Sequence, residues 1–287
     1  MPHGPAGLDL PPPLTDTTPD GLRRAIEADN VATRLRNTDL PVEAYDEADA
    51  SWAVAPRGDI LRSVVVRAEF RHHDADRRVD EILATYEAQG GGVVWWVAPF
   101  HMPTDLPDRL ATRSFIDFGP SSAMALDLST LDDSSRKTVN GLHIEPVHDR
   151  HSAREYVEVI HLDRPEGVPP YLPEHVEMTV DTVARRVEDQ PIPTYFLGRL
   201  RGRAVATSRL SLVGGTAGIY AVVTLAEARG RGIGSAMTLA ALRAARDAGY
   251  RIATLQSSAM GHDIYERLGF RDIFSYEILV RRPSVGA

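Results

Sequence analysis

From residue 20 onward the chain reads as a succession of helical and strand periods. Over 20–36 (DGLRRAIEADNVATRLR) the apolar residues Leu22, Ile26, Val31 and Leu35 recur near the helical repeat, and Asp20 stands where an N-cap belongs. WAVAP (52–56) fits a strand or an approach to a turn, and ILRSVVVRAEF (60–70) is branched enough to form a strand. The segment 77–89 places Val79, Ile82, Leu83 and Tyr86 on one helical side, and the glycines 90–92 stop it. VVWWVAPF (93–100) reads as a buried strand; its adjacent Trp95 and Trp96 must point to opposite faces. A short helix over 103–115, carrying Leu106, Leu110 and Phe115, and a strand over 124–131 complete a mixed α/β unit.

Polar, aperiodic residues 132–140 separate this unit from a second one. There, strands are expected at 141–147, 194–200, 203–212, 217–224, 253–258 and 273–280. Helices are expected at 152–163, 174–189, 233–248 and 260–268. The prolines of 165–173 exclude regular structure between the first two helices. Residues 1–19 are proline-rich and polar, which predicts a loosely attached arm. The expected division is 1–19, 20–135 and 140–283.

Composition narrows the chemistry. The 287 residues include no cysteine, which removes disulfides, thiolate metal sites and any cysteine acyl intermediate. A formal net charge of -8 argues against nucleic acid as a partner. No apolar stretch is long enough to span a membrane and the N-terminus lacks a signal-peptide pattern, so the expected setting is cytoplasmic, as a monomer or homodimer.

One stretch carries recognisable chemistry. From Gly218 to Gly249 a branched strand enters a loop, Arg229-Gly230-Arg231-Gly232-Ile233-Gly234-Ser235, and then a long alanine-rich helix. Glycines admit a bulky anion close to the backbone, the first helical N–H groups lack acceptors, and the helix dipole favours negative charge there. Such an assembly is a pyrophosphate seat, to which Arg229 and Arg231 can add charge-assisted bonds. The loop does not end in the Gly-Lys-Ser/Thr of a P-loop. Nor does the spacing of glycines 230, 232 and 234 match the dinucleotide fingerprint.

The chain here resembles the GNAT superfamily of acetyl-CoA-dependent N-acyltransferases. The family signature Arg/Gln-x-x-Gly-x-Gly/Ala is met by Arg229, Gly232 and Gly234. A second family feature, a tyrosine just before Leu-Gly-Phe, is met by Tyr265 ahead of Leu268-Gly269-Phe270, about 30 residues beyond Ser235. The resemblance covers roughly 140–280 and implies a mixed sheet flanked by helices with acetyl-CoA as cosubstrate and no metal. It implies that the strand around Ala221 splays from its neighbour, so that Val222, Val223 and Thr224 hold the pantetheine arm. It implies further that Gly230, Arg231, Ile233 and Ser235 seat the pyrophosphate together with the signature residues, and that Tyr265 protonates the leaving thiolate. Ser258 stands where the family often has asparagine, and Ala226 where it often has proline. The acceptor is expected to be a small-molecule amine or a protein amine, attacking the thioester directly while a base takes its proton.

For that base, Glu174, His175 and Glu177 follow the proline-rich segment, and Tyr171 is placed to line the acceptor groove; each of the three candidates reads more readily as a solvated helix residue. His143, His148 and His151, and likewise His72-His73-Asp74, have no metal-ligand spacing. The first unit repeats the strand–helix–strand–helix–strand order of the second but has His72-His73-Asp74-Ala75 where the glycine loop would stand. It reads as a degenerate second copy of the same fold without a phosphate seat. A non-catalytic acyl-CoA sensor is the competing reading, and a phosphate-binding scaffold unrelated to acyl transfer is a third.

Overall fold

Thr18 opens the first helix. Its side chain accepts the Gly21 N–H at 3.1 Å, and Pro19 fills the first helical position, where a missing N–H costs nothing. The cap therefore lies two residues ahead of the expected Asp20. The computed structural model describes residues 11–56, 59–132, 139–163, 172–188, 190 and 192–283. Most of the 132–140 connection, Tyr171 and most of the proline-rich segment fall outside them. The first half contains α1 (Pro19–Leu35), β1 (Glu43–Asp46), β2 (Ala50–Val54), β3 (Val64–Ala68), α2 (Ala75–Glu87), β4 (Val93–Val97), α3 (Leu106–Ala111) and β5 (Ile116–Asp127). The second contains β6 (Leu142–Pro146), α4 (Arg150–Leu162), α5 (Pro173–Glu188), β7 (Tyr195–Leu200), β8 (Arg203–Ser211), β9 (Ala217–Thr224), α6 (Ile233–Asp247), β10 (Ile252–Ser257), α7 (His262–Arg267) and β11 (Arg271–Arg281).

Most expected elements form, with shifted ends. The first three residues of WAVAP fall in β2, whose five residues are all buried, whereas β1 is largely exposed and offers no periodic signal. β5 begins eight residues ahead of the expected 124. It runs through Gly119 and Pro120, residues that usually punctuate strands, because there it pairs on one side only, with β11, and Gly119 falls at the bulge between the Pro120–Glu277 and Asp117–Leu279 pairs.

All eleven strands join one sheet in the order β1-β2-β3-β4-β11-β5-β10-β9-β8-β7-β6. The run β3-α2-β4-α3-β5 matches β9-α6-β10-α7-β11, and the first two strands of each run are parallel. The fold is thus two tandem copies of one mixed α/β unit. The copies exchange their last strands: β5 pairs antiparallel with β10 of the other copy, β11 with β4, and the two pair with each other at the centre.

Alternation along the strands assigns the helices to faces. Trp95 is fully buried under α2, edge-on to Phe115 at 6.0 Å, while its neighbour Trp96 faces α1 and meets Tyr276 edge-on at 5.4 Å. In the second copy Phe196 joins the core under α6, and Tyr195 and Leu197 join the one under α4 and α5. One face therefore carries α2 and α6, the other α1, α4 and α5. No helix among the described residues is long and apolar enough to cross a membrane.

Candidate functional site

The site begins where β9 and β10 part. Their parallel pairing is confined to Ala217–Ala253 and Gly218–Thr254. Beyond that apex β9 stays on β8 through a bulge between Thr207 and Arg209, and Ala221 at the bulge adopts φ 47°. Thr207 Oγ1 donates to the Ala221 carbonyl at 2.8 Å and holds the bulge in place. A V-shaped opening results, with Val222, Val223 and Thr224 on its β9 side, and the expected splay is present. Val222 packs toward the α6 core and Val223 toward the α4–α5 core, so the strand's own backbone edges the opening.

At the wide end of the V the chain turns through Gly230 (φ 75°) and Gly232 (φ 82°), both in the left-handed region that glycine enters without penalty. A Cβ at Gly230 would meet nothing within 4 Å, and one at Gly232 only Val139 at 3.8 Å, so the approach to the loop is open. Ala236 N–H donates to the Gly232 carbonyl at 3.1 Å, which leaves the N–H groups of Ile233, Gly234 and Ser235 ahead of it with no intrahelical acceptor. Arg231, Arg243 and Arg267 line a groove of about 990 Å³ beside this loop, floored by Leu142, Ile144 and Phe196. Positive charge, free N–H groups and a helix N-terminus meet there, a combination that fits a pyrophosphate.

Arg229 sits differently from its neighbours. Its Nε donates to the Thr224 carbonyl at 3.0 Å and its guanidinium pairs with Asp163 at the end of α4. It braces the end of β9 against α4, leaving Arg231 as the loop arginine nearer the groove.

Tyr265 lies on α7, which follows β10 at the same wide end. Ile264 comes within 4.0 Å of the Cβ position of Gly234, so α7 packs on the start of α6 and brings Tyr265 to the loop. The ring rests edge-on against Phe270 at 5.9 Å and over Gly261, where a Cβ would come within 3.1 Å of it. Burial pushes its hydroxyl up to about 12, so it stays protonated at neutral pH. Ser258 caps the end of β10. Its carbonyl accepts from Gly261 and His262 while its side chain is exposed.

The expected bases all lie on α5. Glu177 is exposed on α5, its carboxylate spanning Arg154 at 2.7 Å through both oxygens and also meeting Arg150 at 3.2 Å. These bonds hold its pKa at about 2, too low to accept an amine proton. Glu174 is exposed in the first turn of α5, and His175 is buried beneath it. Half-buried His262 and exposed Asp263 and Glu266 form a cluster of metal-ligand types, but His262 is already engaged with Asp272 at 3.0 Å.

The first copy has the same parting of strands. β3 and β4 pair only at Val64–Val94 and Val65–Trp95. Here the gap is filled by the chain itself: Met102 N–H donates to the Ala68 carbonyl at 3.1 Å, and Phe70 N–H to the Met102 carbonyl at 2.9 Å.

Sequence reading missed a buried polar group at the apex of the second V. Asp29 of α1 is fully buried and accepts from the Tyr220 hydroxyl at 2.6 Å. Its carboxylate occupies the space a side chain at Gly218 would take, 2.4 Å from the Cβ position. A signal was present, since Asp29, Asn30 and Thr33 fall on the same buried side of α1 as Ile26.

Residues 156–270 match the model of the Acetyltransferase (GNAT) family. None of the curated proteins is detectably similar in sequence. Among solved structures, a GCN5-related N-acetyltransferase from Kribbella flavida aligns at TM-score 0.65 and 17% identity, over 92% of this chain and 96% of that one. A GCN5-related N-acetyltransferase from Sphaerobacter thermophilus aligns at 0.60 and 17%, over 83% and 82%. A tandem GNAT protein from the clavulanic acid biosynthesis pathway aligns at 0.57 and 12%, over 91% and 89%. The chain has the GNAT-superfamily fold in tandem, and its second copy carries the family's sequence pattern.

Proposed function

We propose that this protein is an N-acyltransferase that moves an acetyl or other small acyl group from its CoA thioester directly to an amine. The observation that carries the reading is the conjunction, at one end of one V, of an open glycine loop on the α6 N-terminus and a protonated tyrosine on α7. The N–H groups of Ile233, Gly234 and Ser235, with Arg231, hold the pyrophosphate. The free β9 edge from Ala221 to Thr224 holds the pantetheine arm and presents backbone donors to the thioester carbonyl. Tyr265 gives its proton to the leaving sulfur. Arg229 keeps the strand end and loop in register, and Glu177, held by two arginines, has no part in proton transfer.

Titration by calorimetry with CoA, acetyl-CoA and ATP tests this. We expect micromolar-range binding of both CoA species, none of ATP, and loss of binding in Gly232→Trp, which fills the seat. Failure of both CoA species to bind would sink the reading. Binding without thiol release against any amine would favour the sensor instead.

A further inference from the structure

The polar group at the V apex has no role in holding the cosubstrate, and its composition is unusual for a core. Asp29 Oδ1 and both amide atoms of Gln256 are buried without a hydrogen-bond partner among the described residues. Buried polar atoms are rarely left so unless a water or ligand meets them. These groups surround one place. Gly218–Thr254 is the last pair before the strands part, Tyr220 stands on the β9 lip, and Gln256 stands two residues past Thr254 on the β10 lip, on the same face. Asp29 closes the place from above.

Beside Tyr220 opens a pocket of about 130 Å³, lined also by Arg34, Arg62, Arg209 and Asp39. Two of its arginines have carboxylates: Arg62 meets Asp59 at 2.6 Å and Arg209 meets Asp39 at 3.3 Å. Arg34 does not. Its Nε is spent on Asn30 Oδ1 at 2.7 Å, its guanidinium lies 4.0 Å over the Trp96 ring, and no carboxylate among the described residues is within ion-pair distance. A planar cation fixed by stacking on one side and by Nε on the edge keeps its other two nitrogens for a planar anion.

Resting on the acyltransferase reading above, we infer that this pocket is the acceptor subsite, and that the acceptor is a small amine also bearing a carboxylate, of the α-amino acid class. The amine lies at Tyr220, toward the thioester; the carboxylate lies on the fork of Arg34. As the amine nitrogen bonds to the acyl carbon and the carbon–sulfur bond breaks, the amine proton passes by way of the Tyr220 hydroxyl to Asp29, and the thiolate takes a proton from Tyr265. Atoms and charge balance, and solvent resets both groups. The first copy thus supplies, through α1, half of the second copy's active site.

The test uses the full chain with acetyl-CoA and follows thiol release against a panel of α-amino acids, each paired with its carboxamide. We expect at least one free acid to be used about tenfold or more better in kcat/KM than its amide. That ratio should collapse in Arg34→Gln and stay low in Arg34→Lys, which keeps the charge without the fork. Asp29→Asn should lower kcat about 100-fold or more. Equal or better use of the amides overturns the assignment, as does a ratio unmoved in Arg34→Gln or an undiminished kcat in Asp29→Asn. Should the variants not fold, the wild-type ratio decides. CoA binding with no acid used overturns this inference alone, whereas absence of CoA binding overturns the reading beneath it.

Discussion

Two side chains with displaced proton affinities define what single residues contribute. Tyr265 owes its raised pKa to burial alone, with no charged neighbour pulling it back, which suits a donor that must arrive protonated. Tyr265→Phe should therefore lower kcat about 100-fold or more while leaving the Kd of CoA near wild type, as single-turnover assays and calorimetry would show. Asp29 is raised from 3.8 to about 7 by burial, against the opposing bonds from Tyr220 and Thr254. The folded protein thus holds this proton more tightly than the unfolded chain. The stabilisation is complete below about pH 4 and is lost as pH rises through 7. In melting curves from pH 5 to pH 8, Asp29→Asn should gain stability relative to wild type as pH rises. A constant difference would mean that Asp29 titrates normally. These two residues also mark what was legible in advance. Tyr265 sits in a local motif that can be read without tertiary structure. Asp29 becomes meaningful only beside Tyr220, 191 positions away, and no periodicity reports that distance.

Between elements, the decisive contrast is between two partings of strands. Both copies let the parallel pair diverge after two register pairs, but in the first the segment before Pro103 returns to hydrogen-bond β3. The calorimetric stoichiometry for CoA should accordingly be near one per chain; a value near two would show that the plug yields. The missing glycine loop at 72–75 was visible in sequence, whereas the plug was not, because 98–103 carries no repeat that betrays its pairing. The seating of α1 is equally close. A Cβ on Gly214, in the β8–β9 turn, would come within 2.6 Å of the Asp29 Cα, a backbone atom that cannot step aside alone. Gly214→Ala should cost about 1–3 kcal/mol in urea unfolding, with kcat falling too if α1 and the site move together.

At the scale of the molecule, the exchanged strands make the halves interdependent. Alternating polarity tells a strand which face is buried but not which strand lies beside it, so a boundary near 132–140 looked like a plain division between units. In space, residues 116–127 lie against β10, and residues 271–281 lie against β4. Separately expressed halves, cut within 133–138, should each be poorly soluble, each exposing the long unpaired edge that the other covers. Coexpressed, they should assemble into a complex with the far-ultraviolet spectrum of the intact chain. A well-folded, monomeric second half on its own would contradict this.

The same exchange governs the order in which the sheet can be completed during synthesis. One partner of β4 is β11, which is translated after all the other strands of the sheet. The first half therefore leaves the exit tunnel long before its sheet can close, with β4 bare along one side. β5, the strand waiting next in line, is also without its neighbours until then. Nascent chains usually consolidate from the N-terminus in units; this one must hold its first unit open until β11 is released.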